Sequence, residues 1–174
     1  MDMKAIGAAT CTLVCCLGNP ADAAWVNQHG VRILERQDFP ISHQPLFNAL
    51  TDAGIAVVDA YDWDKCIPGE SKYLAGFYNA SKNFIGLCTN GPAPDLLNTF
   101  THEAVHAVQD CRTGLHNATL GSVVKAHYIG ELSIDDIEAI RNYYPESQWN
   151  DEIEARYFAD SPTAVTDGVR RFCF

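Results

Sequence analysis

A chain of 174 residues has the size of one ordinary domain and is long enough to bury a real core. Its composition, 47% hydrophobic and 20% charged, is that of a globular protein, with no low-complexity tract or internal repeat. A formal net charge of −10 and the lack of any Lys/Arg run exclude the electrostatic footprint of a nucleic-acid binder.

The chain begins like an export signal. "MDMK" is a short n-region, "AIGAATCTLVCCLG" an apolar h-region and "NPADAA" a polar, small-residue c-region. Ala21 and Ala23 form an A-x-A signal, so cleavage is expected between Ala23 and Ala24. Residues 1–23 are then a signal peptide and 24–174 one domain with two sub-lobes, exported to a periplasm or to the outside. The apolar stretch is too short for a comfortable bilayer span, so no stable membrane insertion is expected after cleavage. A lipoprotein reading, with Cys16 acylated, is weaker because Cys15 stands where Gly or Ala is preferred.

Export changes the reading of the cysteines. Cys11, Cys15 and Cys16 leave with the signal, and Cys66, Cys88, Cys111 and Cys173 remain as an even set in an oxidising compartment. Three pairings are open. The expected one joins Cys66 to Cys88 across a predicted hairpin and Cys111 to Cys173 at the chain's end. No C-x-x-C spacing points to a thiolate zinc site.

In chain order, "VRILER" (31–36) reads as a strand and "SHQPLFNALTDAG" (42–54) as a short helix, with Ser42 as its cap and Gly54 after its end. "IAVVDA" (55–60) is an apolar, β-branched strand suited to a sheet interior. After the Pro68-Gly69 turn, "YLAGFYN" and "NFIGLC" form a hairpin around "ASK". "NGPAP" (90–94) then breaks the chain, and the remainder is helical in flavour, with no assignment for "TAVTDGVRRFCF" (163–174). The expected fold is α+β.

"THEAVHAVQDC" (101–111) lies in a helix expected over about 95–112, between Asp95 as cap and Gly114 as stop. Leu97, Phe100, Ala104, Ala107, Val108 and Cys111 form its core stripe. His102 and His106 share another side, with Asn98, Thr99, Gln109 and Asp110 along it. One turn apart, two imidazoles can bind one metal ion, and Glu103 then projects beside the ion as a base would. Gln109 or Asp110 is placed either to orient a ligand histidine or to face solvent.

A catalytic zinc needs a third protein ligand and an open position. Gln109 and Arg112 stand where the extended H-E-x-x-H-x-x-G-x-x-H form requires Gly and His, which excludes that class. His116, His127 and several carboxylates are available. The strongest stretch is "SQWNDEIEARYFAD" (147–160), a helix expected to be capped by Ser147. Glu152 shares a stripe with Ala155 and Ala159, small residues that permit close approach to the motif helix. Glu154, on the side of Asn150 and Phe158, ranks second.

"HEAVH" followed by "EIEARYFA" resembles the gluzincin group of zinc metallopeptidases, whose thermolysin-like members use H-E-x-x-H and a glutamate on a later helix. "GFYNASKNFIGLC" is similar to the zincin arrangement in which an edge strand precedes the active-site helix. The resemblance covers roughly residues 73–160. It implies a zincin-like fold: a small twisted sheet with an edge-strand hairpin, an active-site helix and a helical C-terminal sub-lobe. It also makes His102, His106 and Glu152 the ligands of Zn2+ and Glu103 the base. Arg156 stands where thermolysin-like enzymes often place an acid, four residues after the third ligand. The usual oxyanion-stabilising His or Tyr has five candidates: His127, Tyr128, Tyr143, Tyr144 and Tyr157.

The implied activity is a zinc metallopeptidase, with peptide or protein as substrate and Glu103 as general base toward zinc-activated water. An extended peptide is expected to add beside "NFIGLC" at the sheet edge. The rival is a secreted, disulfide-stabilised binding or inhibitor protein on a zincin-like scaffold without turnover. A structural zinc there would take His116 or His127 as fourth ligand.

Overall fold

The computed structural model describes residues 32–61, 66, 75–89, 96–114 and 118–174. The expected signal peptide, the Pro68-Gly69 turn, the break at 90–94, Asp95 and His116 lie outside these residues. Four strands come first, with one helix among them: β1 (Arg32–Ile33), α1 (Gln44–Asp52), β2 (Ala56–Asp59), β3 (Gly76–Asn79) and β4 (Phe84–Leu87). Five helices come after them: α2 (Leu96–Thr113), α3 (Ser122–Glu131), α4 (Ile134–Tyr143), α5 (Trp149–Phe158) and α6 (Pro162–Phe172). The architecture is mixed α+β.

Local chemistry moves several boundaries. The strand expected over 31–36 shrinks to two residues because the Asp38 carboxylate accepts from the Glu35 N–H at 2.8 Å and folds the chain into a 3-10 turn. Ser42 does not cap α1: His43 holds that position, and the Ser42 hydroxyl bonds to His43 Nδ1 at 2.9 Å. Gly54, with φ of 78°, takes the left-handed conformation that ends α1.

The open sheet runs in the order β1-β2-β4-β3, with β2 and β4 parallel and the other pairs antiparallel. Val57, Val58, Phe84 and Ile85 are buried, as expected of inner strands. β3 and β4 form the expected hairpin, and Asn83 turns it at φ 53° while its amide donates to Gly54 O at 3.0 Å. The expectation that a peptide adds beside "NFIGLC" is corrected here. β4 is hydrogen-bonded on both sides and wholly buried, so it has no free edge, and among the described residues β3 is the edge strand next to it.

α2 carries the site and is packed on two sides, by β3 and β4 and by α5 and α6. Its stripe of Phe100, Ala104 and Ala107 joins Leu46, Leu50, Ile85 and Val169 in one core. Burying each large side chain there contributes about 1.5–3 kcal/mol. The tail left without an assignment is α6, with Val165 and Val169 buried where it packs on α1 and α2.

Both expected disulfides are formed, Cys66–Cys88 and Cys111–Cys173. The second joins residues 62 apart, a loop whose closure is worth about 4 kcal/mol, and ties the end of α6 to α2. No helix among the described residues is long and apolar enough to cross a membrane.

Candidate metal centre

α2 presents His102 and His106 one turn apart, and α5 lies along it with Glu152 facing both rings. Ala155 and Ala159 are buried on α5, and such small side chains permit the close helix contact that brings the carboxylate in. His102 Nε2 and His106 Nε2 are 3.2 Å apart. His106 Nε2 stands 3.3 Å from Glu152 Oε1, and His102 Nε2 stands 3.5 Å from Glu152 Oε2. Among the described residues these three form a group able to hold a metal ion, with one donor atom from each lying within 4.8 Å of the others.

Two observations test whether a divalent ion fits these donors. Ligands about 2.0–2.1 Å from a tetrahedral zinc stand roughly 3.3 Å from one another. The two imidazole nitrogens, 3.2 Å apart, have that spacing; each faces a different oxygen of Glu152, at 3.3 and 3.5 Å, and one donor from each residue lies within 4.8 Å of the others. In addition, Glu152 Oε2 is buried and has no hydrogen-bond partner among the described residues. A buried carboxylate oxygen whose contact is an imidazole nitrogen at 3.5 Å is poorly satisfied, and a bound cation would answer it. The donors fit the ion.

The electrostatics agree. Burial alone would raise the Glu152 carboxyl, but the two facing imidazoles outweigh it and hold the group well below the usual carboxylate range. Burial would lower His106, yet Glu152, the charge of Glu103 and the Gln109 amide push it up to about 9. Without a metal, the cluster therefore keeps a proton at neutral pH, because some positive charge must balance the carboxylates.

The other expected residues separate clearly. Glu103 is buried on α2 beside β3, where a Cβ on Gly76 would stand 3.3 Å from Glu103 Cγ and 2.6 Å from Thr99 Cγ2. Only a glycine lets the helix approach the edge strand this closely. Gln109 does not face solvent: its Oε1 lies 2.8 Å from His106 Nδ1. Asp110 turns instead to Tyr78, whose hydroxyl donates to Asp110 Oδ2 at 3.0 Å.

Glu154 is not in the cluster. It takes a forked pair of bonds from Arg112, at 3.0 and 2.8 Å, and a third from Gln109 Nε2 at 3.0 Å. Ser147 does not cap α5 but sits in a 3-10 turn over Glu146–Gln148, which leaves Gln148 at the N-cap. Arg156, in the position where an acid was sought, donates to Asp136 Oδ1 at 2.7 Å.

Of the five oxyanion candidates, Tyr144 is beside the cluster. Burial, then the charges of Glu152 and Glu103, raise its phenol well above the ordinary value. Tyr128 and Tyr157 stack on each other at 4.0 Å, and His127 Nε2 is 3.2 Å from the Tyr157 hydroxyl. Tyr143 is 79% exposed. Sequence spacing carries no signal for Tyr144, because a turn after α4 brings it in. The Arg112–Glu154 pair had only a faint one, in the opposite charges of the two helices.

A separate cavity of about 330 Å³ is lined by Val105, Val108, Phe158 and Phe172, with Arg112 and Glu154 in its wall. None of the three cluster residues lines it.

Residues 92–174 match a domain of unknown function, DUF8637. The match spans α2 to α6, and so carries the whole cluster together with Glu103, Gln109 and Glu154, while the sheet lies outside it. No curated protein and no solved structure gives a significant match.

Proposed function

We propose that this chain is an exported zinc-dependent metallopeptidase of gluzincin type, hydrolysing peptide bonds in peptide or protein substrates. One observation carries the reading: one donor each from His102, His106 and Glu152, on two helices, lies within 4.8 Å of the others, beside a buried glutamate that is not one of the three. Among the described residues the group has three members, the number a catalytic site uses while leaving a position open. His127, offered as a fourth ligand for a structural site, is occupied with Tyr157. The two disulfides support export.

Zinc held by His102, His106 and Glu152 would supply Lewis-acid charge to the scissile carbonyl and acidity to water. Glu103 takes the proton of the attacking water and returns it to the leaving amine. Tyr144 keeps its proton, since burial and two nearby carboxylates oppose its ionisation, and donates a hydrogen bond to the developing oxyanion. The edge strand β3, packed against α2 at Gly76, receives an extended substrate by strand addition.

The test is Glu103→Gln in the oxidised protein, assayed for zinc and for chelator-sensitive cleavage of an unfolded protein substrate. The expected variant keeps its zinc and loses about 10²–10⁴ in rate. Unchanged cleavage would remove Glu103 as base, and a wild type without cleavage would remove the peptidase reading.

A further inference from the structure

Gln109 is buried deep between α2 and α5, and its amide has one permissible orientation. The NH₂ end stands 3.0 Å from two acceptors, Asp151 O and Glu154 Oε2. Neither can donate in its ionised or carbonyl form, so both must receive an N–H. The carbonyl end of Gln109 is thereby turned to His106 Nδ1, at 2.8 Å. A carbonyl oxygen only accepts, so His106 Nδ1 carries a hydrogen. The lone pair available for a metal is then on Nε2, the atom that faces Glu152 and His102.

The orientation is fixed again one step out. Arg112 grips both oxygens of Glu154, at 3.0 and 2.8 Å, and holds that carboxylate where Gln109 can donate to it. Four side chains thus run in series from the wall of the cavity to the metal-facing imidazole: Arg112, Glu154, Gln109 and His106.

Resting on the metal reading above, we infer that Gln109, Glu154 and Arg112 are positioning residues that select the Nδ1–H tautomer of His106 and so set the affinity of the site for zinc. None of the three is among the donors of the cluster. Their effect passes through one ring, whose free rotation and alternative tautomer the relay removes. The relay also explains why Glu154, two residues from Glu152, is kept out of the cluster: both of its oxygens are already taken.

The experiment compares wild type, Gln109→Leu, Glu154→Gln and Glu152→Ala in the oxidised protein. Zinc affinity is read by competition with a chelator, and the His106 Nδ1–H by nitrogen-edited NMR. Wild type is expected to show an Nδ1–H protected from solvent exchange. Gln109→Leu should lose that protection and weaken zinc by about 10–100-fold. Glu154→Gln keeps the shape of the relay and guards against a Gln109 variant that does not fold. It should weaken zinc by about tenfold, the lower end of that range.

Unchanged affinity and an unchanged Nδ1–H in both variants, beside a Glu152→Ala that binds no zinc, would overturn the relay and leave the metal site standing. Complete loss of zinc in Glu154→Gln would make Glu154 a ligand and also overturn the relay. A wild type that binds no zinc would overturn the metal reading, and the relay's role with it.

Discussion

Glu152 and Glu154 stand two residues apart on α5, both buried, and the surroundings of the two carboxylates could hardly differ more. Glu154 is saturated by the Arg112 fork and the Gln109 amide. Glu152 meets two imidazoles at 3.3 and 3.5 Å and keeps one oxygen without a hydrogen bond. The first region balances its own charge and needs nothing from outside. The second gathers three donors from two helices that could hold a metal ion. Buried charge alone therefore does not mark a candidate site; the convergence of three metal-type donors does.

That contrast is open to experiment. The largest effect is expected on adding zinc: at a thousandfold excess over its dissociation constant, wild type should gain about 4 kcal/mol in denaturant unfolding. Glu152→Ala should gain nothing, and equal gains in both would erase the difference between the two carboxylates. Next, Glu154→Ala leaves Arg112 without its partner and should cost about 3 kcal/mol of metal-free stability, toward the low end for a broken buried pair since Arg112 is partly exposed. Glu152→Ala should cost less without metal, because His106, which it faces, can shed its charge. A reversed order in urea midpoints would contradict the assignment.

The smallest effect lies further along α5, at Arg156 and its α4 partner Asp136. Burial would raise the Asp136 carboxyl, but bonds from Ser133 and Arg156 hold it below its ordinary value. A depressed folded pKa means stability present above about pH 4 and lost as pH falls through the folded value. Asp136→Asn should therefore remove at most about 1 kcal/mol at neutral pH and flatten the acid limb of the stability profile. A loss of equal size at pH 2 would contradict the linkage.

Local pattern carried much of this molecule. The structure keeps the hairpin, the glycine stops and the middle of the α2 stripe, Phe100, Ala104, Ala107 and Val108, but leaves Cys111 exposed and buries His106 and Gln109 on the side expected to be polar. Glu152 could be ranked above Glu154 because small neighbours, Ala155 and Ala159, marked its side of α5 as the one able to approach another helix. Partners across long separations were not legible in this way. Gln109 is polar and read equally well as solvent-facing, and only its 45-residue reach to Glu154 shows it to be buried. Tyr144 enters through a turn, and no spacing announces it. α6 escaped assignment although Ser161-Pro162 opens it and Val165 and Val169 face inward at helical spacing. The edge of the sheet was misplaced for a similar reason, since strand order depends on β2 pairing with β4.

The most direct test is the zinc content of the mature, oxidised protein purified without chelator, measured by elemental analysis beside Glu152→Ala. One zinc per chain in wild type, lost or weakened in the variant, is the predicted result. No zinc in wild type, even after zinc is offered, would contradict the account and leave His102, His106 and Glu152 as a proton-balanced cluster between two helices.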